Sequence, residues 1–107
     1  MDEIKNIFND LPHKIPGEIV ETILESKTIH IERIVSCAPY SMENVWYDQD
    51  EDEFVILLKG EAKIYFIDED KEVSLKTGGY LNIPKHVKHR VTWIHPDNVT
   101  IWLAVFY

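Results

Sequence analysis

From Val20 to Tyr107 the sequence is a series of short runs rich in β-branched and aromatic residues, cut at intervals of roughly 8–12 residues by a turn signal. Residues 20–24, 28–35, 54–58, 62–67, 73–75, 80–83, 87–94 and 99–107 read as strands. Ser26-Lys27, the polar stretch 68–71, Thr77-Gly78-Gly79, Pro84 and the stretch 95–98 read as turns or breaks, and residues 38–44 as a loop. No stretch offers the helical segments that parallel βαβ units need. An all-β sandwich or barrel remains, and closure also removes the exposed edges that a small sheet protein must manage. Ahead of the strands, Ile4, Ile7 and Phe8 fall at helical spacing and predict one or two helical turns, followed by a Pro- and Gly-containing loop at 11–17. The turn His95-Pro96-Asp97-Asn98 predicts that 91–94 and 99–103 pair as an antiparallel hairpin.

With 107 residues, 45% of them apolar, the chain has material for one packed core and reads as one domain, 1–107, with 1–17 as an N-terminal extension. Eleven basic residues against 19 acidic ones give a formal charge of −8. That balance disfavours nucleic acid and anionic membrane surfaces, both of which need a basic face. No apolar run approaches the roughly 20 residues of a membrane span, and the first ten residues lack the pattern of a secretory signal. Cys37, the lone cysteine, has no partner for a disulfide within the chain; a reducing, cytoplasmic setting is expected, and a Cys-rich zinc module is excluded.

Two stretches carry the chemistry. The first, at 46–60, is WYDQDEDEFVILLKG, in which Glu53 and Gly60 are separated by six residues. The second, at 78–89, is GGYLNIPKHVKH, in which five residues separate Gly78 from Pro84 and His89 lies five positions further on. In order and spacing they resemble the two motifs of the cupin superfamily, and the chain looks like a small single-domain bacterial cupin of the cupin 2 type. The resemblance implies an all-β, small jelly-roll barrel. It leaves the activity open, because cupins host many unrelated functions.

Typical cupins hold a divalent metal through His-x-His and Glu of the first motif and His of the second. Imidazole and carboxylate suit Fe, Mn, Ni or Zn. Here Glu53 and His89 match, but neither first-motif histidine is present. Depending on spacing, their places fall on Tyr47 and Gln49 or on Trp46 and Asp48. The first pair is preferred because Gln49 keeps a polar group at that point, while Asp48 would be the stronger ligand. His86 stands where the second motif usually has Gly; strand alternation from His89 puts it on the opposite face unless the Pro84 turn redirects it. Trp93 shares the parity of His89 and Val91 and is expected inside the barrel. His30, opposite in parity to Ile29 and Ile31, is expected to face out. Most other aromatics are expected in the core or an interface, and Asp50, Glu51 and Asp52 in a solvated loop.

The expected function is small-molecule binding in a polar pocket around Gln49, Glu53 and His89, either metal-free or with one divalent transition metal. Two alternatives remain open: a metal-dependent enzyme of the isomerase or dioxygenase type, and a non-catalytic sensor or interaction module. The resemblance also implies a homodimer formed through sheet edges.

Overall fold

The computed structural model of the chain describes residues 3–12, 17–38 and 46–107. Among the described residues there are eight strands: β1 Gly17–Glu25, β2 His30–Cys37, β3 Glu53–Lys59, β4 Glu61–Phe66, β5 Lys71–Lys76, β6 Tyr80–Ile83, β7 His89–Ile94 and β8 Thr100–Phe106. They form two antiparallel sheets, a five-stranded one ordered β1-β2-β8-β3-β6 and a three-stranded one ordered β5-β4-β7. This is the all-β class expected from the strand spacing, in the jelly-roll architecture that the resemblance to cupins implies. The expected loop at 38–44 lies outside the described residues beyond Ala38.

The core lies between the sheets because alternation turns one side of each strand inward. Val55 and Leu57 from β3, Ala62, Ile64 and Phe66 from β4, Ile83 from β6, Ile94 from β7 and Trp102 from β8 pack as one buried cluster. The run 54–58 is apolar throughout, so its composition does not say which face is buried. Its register does: Glu53, Val55 and Leu57 point inward, and Phe54 and Ile56 are half-buried on the other side. Gly60 follows at φ 99°, where a Cβ would come within 2.9 Å of Thr100 Oγ1, so only glycine makes the β3–β4 turn without strain.

Two local expectations are corrected. Strands β7 and β8 are not a hairpin: β7 pairs with β4, and β8 with β2 and β3 in the other sheet. The stretch 95–98 does turn the chain, and the His95 amide donates to the Glu61 carbonyl. Turn chemistry fixes a reversal but not the partner, and here the reversal carries the chain from one layer to the other. Residues 3–12 are not helical. They make a turn at 7–10, with the Asn9 amide donating to the Asn6 carbonyl and the Phe8 amide to Asn6 Oδ1. The Arg33 guanidinium, reaching out of β2, takes the carbonyls of Ile7, Asn9 and Asp10, so those acceptors are lost to any helical ladder.

Candidate functional site

Between the sheets, towards one end, lies a cavity of about 590 Å³. One wall comes from the large sheet, with Glu18 and Val20 of β1, His30, Glu32 and Ile34 of β2, and Trp102 and Phe106 of β8. The other comes from Ile64, His89 and Val91 of the small sheet, with Glu53, Val55, Ile83, Tyr47 and Gln49 closing the side.

Glu53 and His89 sit deep in this wall, 8% and 4% exposed. Glu53 Oε1 and His89 Nε2 are 3.6 Å apart, although the residues are 36 positions apart in sequence. Gln49 Nε2 donates to Glu53 Oε1 at 2.6 Å. His89 Nδ1 faces the Val87 carbonyl at 2.8 Å. A carbonyl only accepts, so Nδ1 carries the proton, and a neutral ring offers Nε2 as an acceptor.

The backbone selects Tyr47 and Gln49 over Trp46 and Asp48. Tyr47 forms an isolated bridge with His89, each amide donating to the other's carbonyl at 2.8 and 3.1 Å. Directly paired residues share a face, and the Tyr47 ring stacks on the imidazole with centroids 5.6 Å apart. Gln49, two residues on, points the same way. Trp46 and Asp48 point outward. Trp46 lies against Tyr65 with the Arg90 guanidinium 4.7 Å from its ring, and Asp48 meets exposed His86 at 3.2 Å. His86 has φ 65°, the left-handed conformation that suits the usual glycine.

Two expected placements are corrected. Trp93 is not in the cavity wall. The β4–β7 register shifts between Lys63 and Ile64, so that Ile64 pairs with Val91 but Lys63 with Trp93. This bulge reverses the parity: Ile94 enters the core, and Trp93 faces out, with Lys63 Nζ 5.7 Å from its ring. His30 faces the cavity rather than solvent, bonded to Glu32 at 2.8 Å. Glu18, His30 and Glu32 are the site residues that sequence reasoning missed. Of the three, only His30 was assigned a face by the sequence, and that face was the outward one; Glu18 and Glu32 carried no signal of their own, because alternation distinguishes two faces without saying which is enclosed.

Glu18 accepts from the Tyr47 phenol at 3.1 Å. Burial pushes its carboxyl above the ordinary carboxylate value; the Tyr47 hydrogen bond opposes this, and nearby Glu32 and Glu53 add to it. A carboxyl whose folded value is raised contributes stability that is full below its unfolded value of 4.5 and is lost as pH rises through the folded value. At neutral pH the ionised group therefore opposes folding. Glu18→Gln keeps an acceptor for Tyr47, and its expected gain is about 0.5–1 kcal/mol, or roughly 2–8 °C in Tm at pH 7. The gain should vanish near about pH 4. Thermal melts at both values check this, and an equal gain at both would contradict it.

The resemblance to cupins raises the question of a metal. Glu53 and His89 are the only two lone-pair donors from the expected ligand set that converge. Gln49 turns its amide nitrogen, not its oxygen, to Glu53, and Tyr47 is engaged with Glu18. Among the described residues no group of three His, Cys, Asp or Glu side chains is spaced to hold an ion. Open metal sites use about three protein ligands, so this donor set does not fit one.

A jelly-roll barrel with its polar pocket between the sheets defines a class, and the comparisons name it. The Cupin_2 model, described as a cupin domain, matches residues 34–106, and the chain belongs to the cupin family. A protein from Ralstonia eutropha JMP134, named as a candidate mannose-6-phosphate isomerase, is 36% identical, covering 98% of this chain and 97% of its own, with a TM-score of 0.89. A cupin-2 domain-containing protein from Shewanella frigidimarina is 23% identical over 81% of this chain and 78% of its own, with a TM-score of 0.62. Hydroxypropylphosphonic acid epoxidase from S. wedmorenis is 18% identical over 84% of this chain and 50% of its own, with a TM-score of 0.72. The last two share the fold. No curated protein matches the chain significantly.

Proposed function

We propose that this cupin binds a small organic molecule in the barrel cavity, held by Gln49, Glu53 and His89 without a resident metal. One observation carries the reading: a part-open cavity of about 590 Å³ with a largely apolar wall, into which Glu53 and His89 turn polar atoms that no group among the described residues satisfies. Buried polar groups are ordinarily satisfied, and pockets of this size with a few convergent polar groups are the usual form of ligand sites. The name of the Ralstonia relative suggests a sugar phosphate. Among the described residues five glutamates line this cavity against Lys27 as the one lysine and no arginine, which argues against a phosphate ester here.

The test uses neutral aliphatic and aromatic fragments, screened by protein-observed NMR against the parent and His89→Ala. Expected are hits that shift the Trp102 indole resonance and disappear in a folded His89→Ala protein. Hits that persist unchanged in that variant would contradict the assignment of the site.

A homodimer through the β1 edge is part of the same proposal. Strand β1 ends the large sheet, and Val20, Ile23 and Leu24 on it are about half exposed. Covering an open apolar edge is what small sheet proteins need. Light scattering at about 100 μM, a concentration well above typical micromolar dissociation constants, should give twice the chain mass of 12.6 kDa. The monomer mass would contradict it. A cytoplasmic setting is proposed from Cys37, which is buried and unpaired. No helix among the described residues is long and apolar enough to cross a membrane.

A further inference from the structure

We propose that the occupant of the cavity is an organic cation: a protonated amine carried on an apolar body, its ammonium group received by Glu53 with Glu18 and Glu32 around it. The inference rests on the ligand-binding reading above and adds the charge and hydrogen-bonding character of the ligand.

Three observations lead to it. The first is what the buried groups lack. Among the described residues Glu53 accepts only from Gln49, through Oε1, and its Oε2 has no hydrogen-bond partner. His89 commits Nδ1 to the Val87 carbonyl, and Nε2 stands 3.6 Å from Glu53, beyond hydrogen-bond distance. Both residues are more than nine-tenths buried and line the cavity. The two unpartnered atoms are a carboxylate oxygen and, in the neutral ring, an imidazole lone pair, so both are acceptors. Only a ligand that brings donors satisfies them, and an ammonium group brings three.

The second observation is charge. Glu18, Glu32 and Glu53 share the cavity closely enough that Glu32 and Glu53 act on Glu18. Among the described residues none of the three is paired with lysine or arginine. Glu32 lies against His30, Glu53 accepts from the Gln49 amide, and Glu18 accepts from the Tyr47 phenol. Carboxylates gathered in a partly dry space call for a counter-charge, and a cationic ligand supplies it.

The third is the rest of the wall. Trp102 and Phe106 line the same cavity with Val55, Ile64 and Val91. A bare inorganic cation would leave this surface uncovered. An apolar or aromatic body attached to the ammonium covers it, and aromatic faces attract cations in their own right.

The test uses three probes of similar shape and different charge, 2-phenylethylammonium, 2-phenylethanol and 3-phenylpropanoate, with zinc chloride as a fourth, titrated by calorimetry into the full chain. The ammonium is expected to bind about tenfold or more tightly than the alcohol, as a charge-assisted hydrogen bond in a buried site implies, and the carboxylate should not bind. The preference for the ammonium over the alcohol should fall to near unity in Glu53→Gln. Should that variant fail to fold, Glu18→Gln, at a half-buried position, is expected to reduce the same preference. Equal or tighter binding of the alcohol or the carboxylate would overturn the cation proposal while leaving the ligand pocket standing. Binding of none of the three organic probes would overturn both. Stoichiometric zinc binding lost in His89→Ala would overturn the proposal in favour of a metal.

Discussion

Trp102→Ala should lower the unfolding free energy by about 3–5 kcal/mol, the usual cost of emptying a large aromatic site in a core. Trp102 is 4% exposed, packs in the main cluster between the sheets and also lines the cavity. It stands on β8, opposite Ile34 of β2 and Leu57 of β3, so one side chain ties three strands of the large sheet to the core. For a domain of this length the loss corresponds to at least about 12 °C in Tm. Trp102→Phe keeps a ring in place and should cost less than half as much. Urea unfolding of the parent and both variants checks the order. A loss below about 1 kcal/mol for the alanine variant would show that the two sheets are not held together through this position.

Arg33→Ala is the second large effect, at about 2–3 kcal/mol, in keeping with the loss of several charge-assisted hydrogen bonds from a buried group. Arg33 is 8% exposed. Its guanidinium binds Glu21 Oε1 at 2.7 and 3.0 Å and the carbonyls of Ile7, Asn9 and Asp10 at 3.0, 2.7 and 3.2 Å. The arginine thus fastens the stretch 7–10 to the outer face of the large sheet. Removing it frees that stretch and leaves Glu21 without its cation. Limited proteolysis should cut the variant near residues 4–8 much sooner than the parent, and melts should show the stability loss. Arg33→Lys should restore little, since an ammonium cannot span this forked set of acceptors. Unchanged cleavage in the alanine variant would contradict the anchoring role.

How much of this was legible beforehand depended on whether the deciding contact was local. The spacings Glu53 to Gly60 and Gly78 to Pro84 to His89 pointed to the fold and to the two buried polar residues through their resemblance to the cupin motifs, each of which is set by one turn and one strand. Choosing between Tyr47 with Gln49 and Trp46 with Asp48 needed the backbone bridge from Tyr47 to His89, a contact between residues 42 positions apart. Trp93 was misplaced because one extra residue in β7 reverses alternation, and nothing in the local sequence marks the bulge. Strands β1 and β2 gave the largest surprise. Glu18, His30 and Glu32 alternate with apolar residues as a solvent-facing row would. Period-two alternation distinguishes two faces without saying which is enclosed. Arg33, on the opposite face of β2, is buried by the N-terminal stretch for the same reason.

The most direct measurement is a crystal structure of the full chain grown with 2-phenylethylammonium. Expected is the phenyl ring against Trp102 and Phe106, with the nitrogen at about 2.7–3.2 Å from Glu53 Oε2, the range of an N–H···O hydrogen bond. A metal ion bound by Glu53 and His89, or a cavity holding only water at saturating ligand, would contradict a metal-free pocket built to receive a cation.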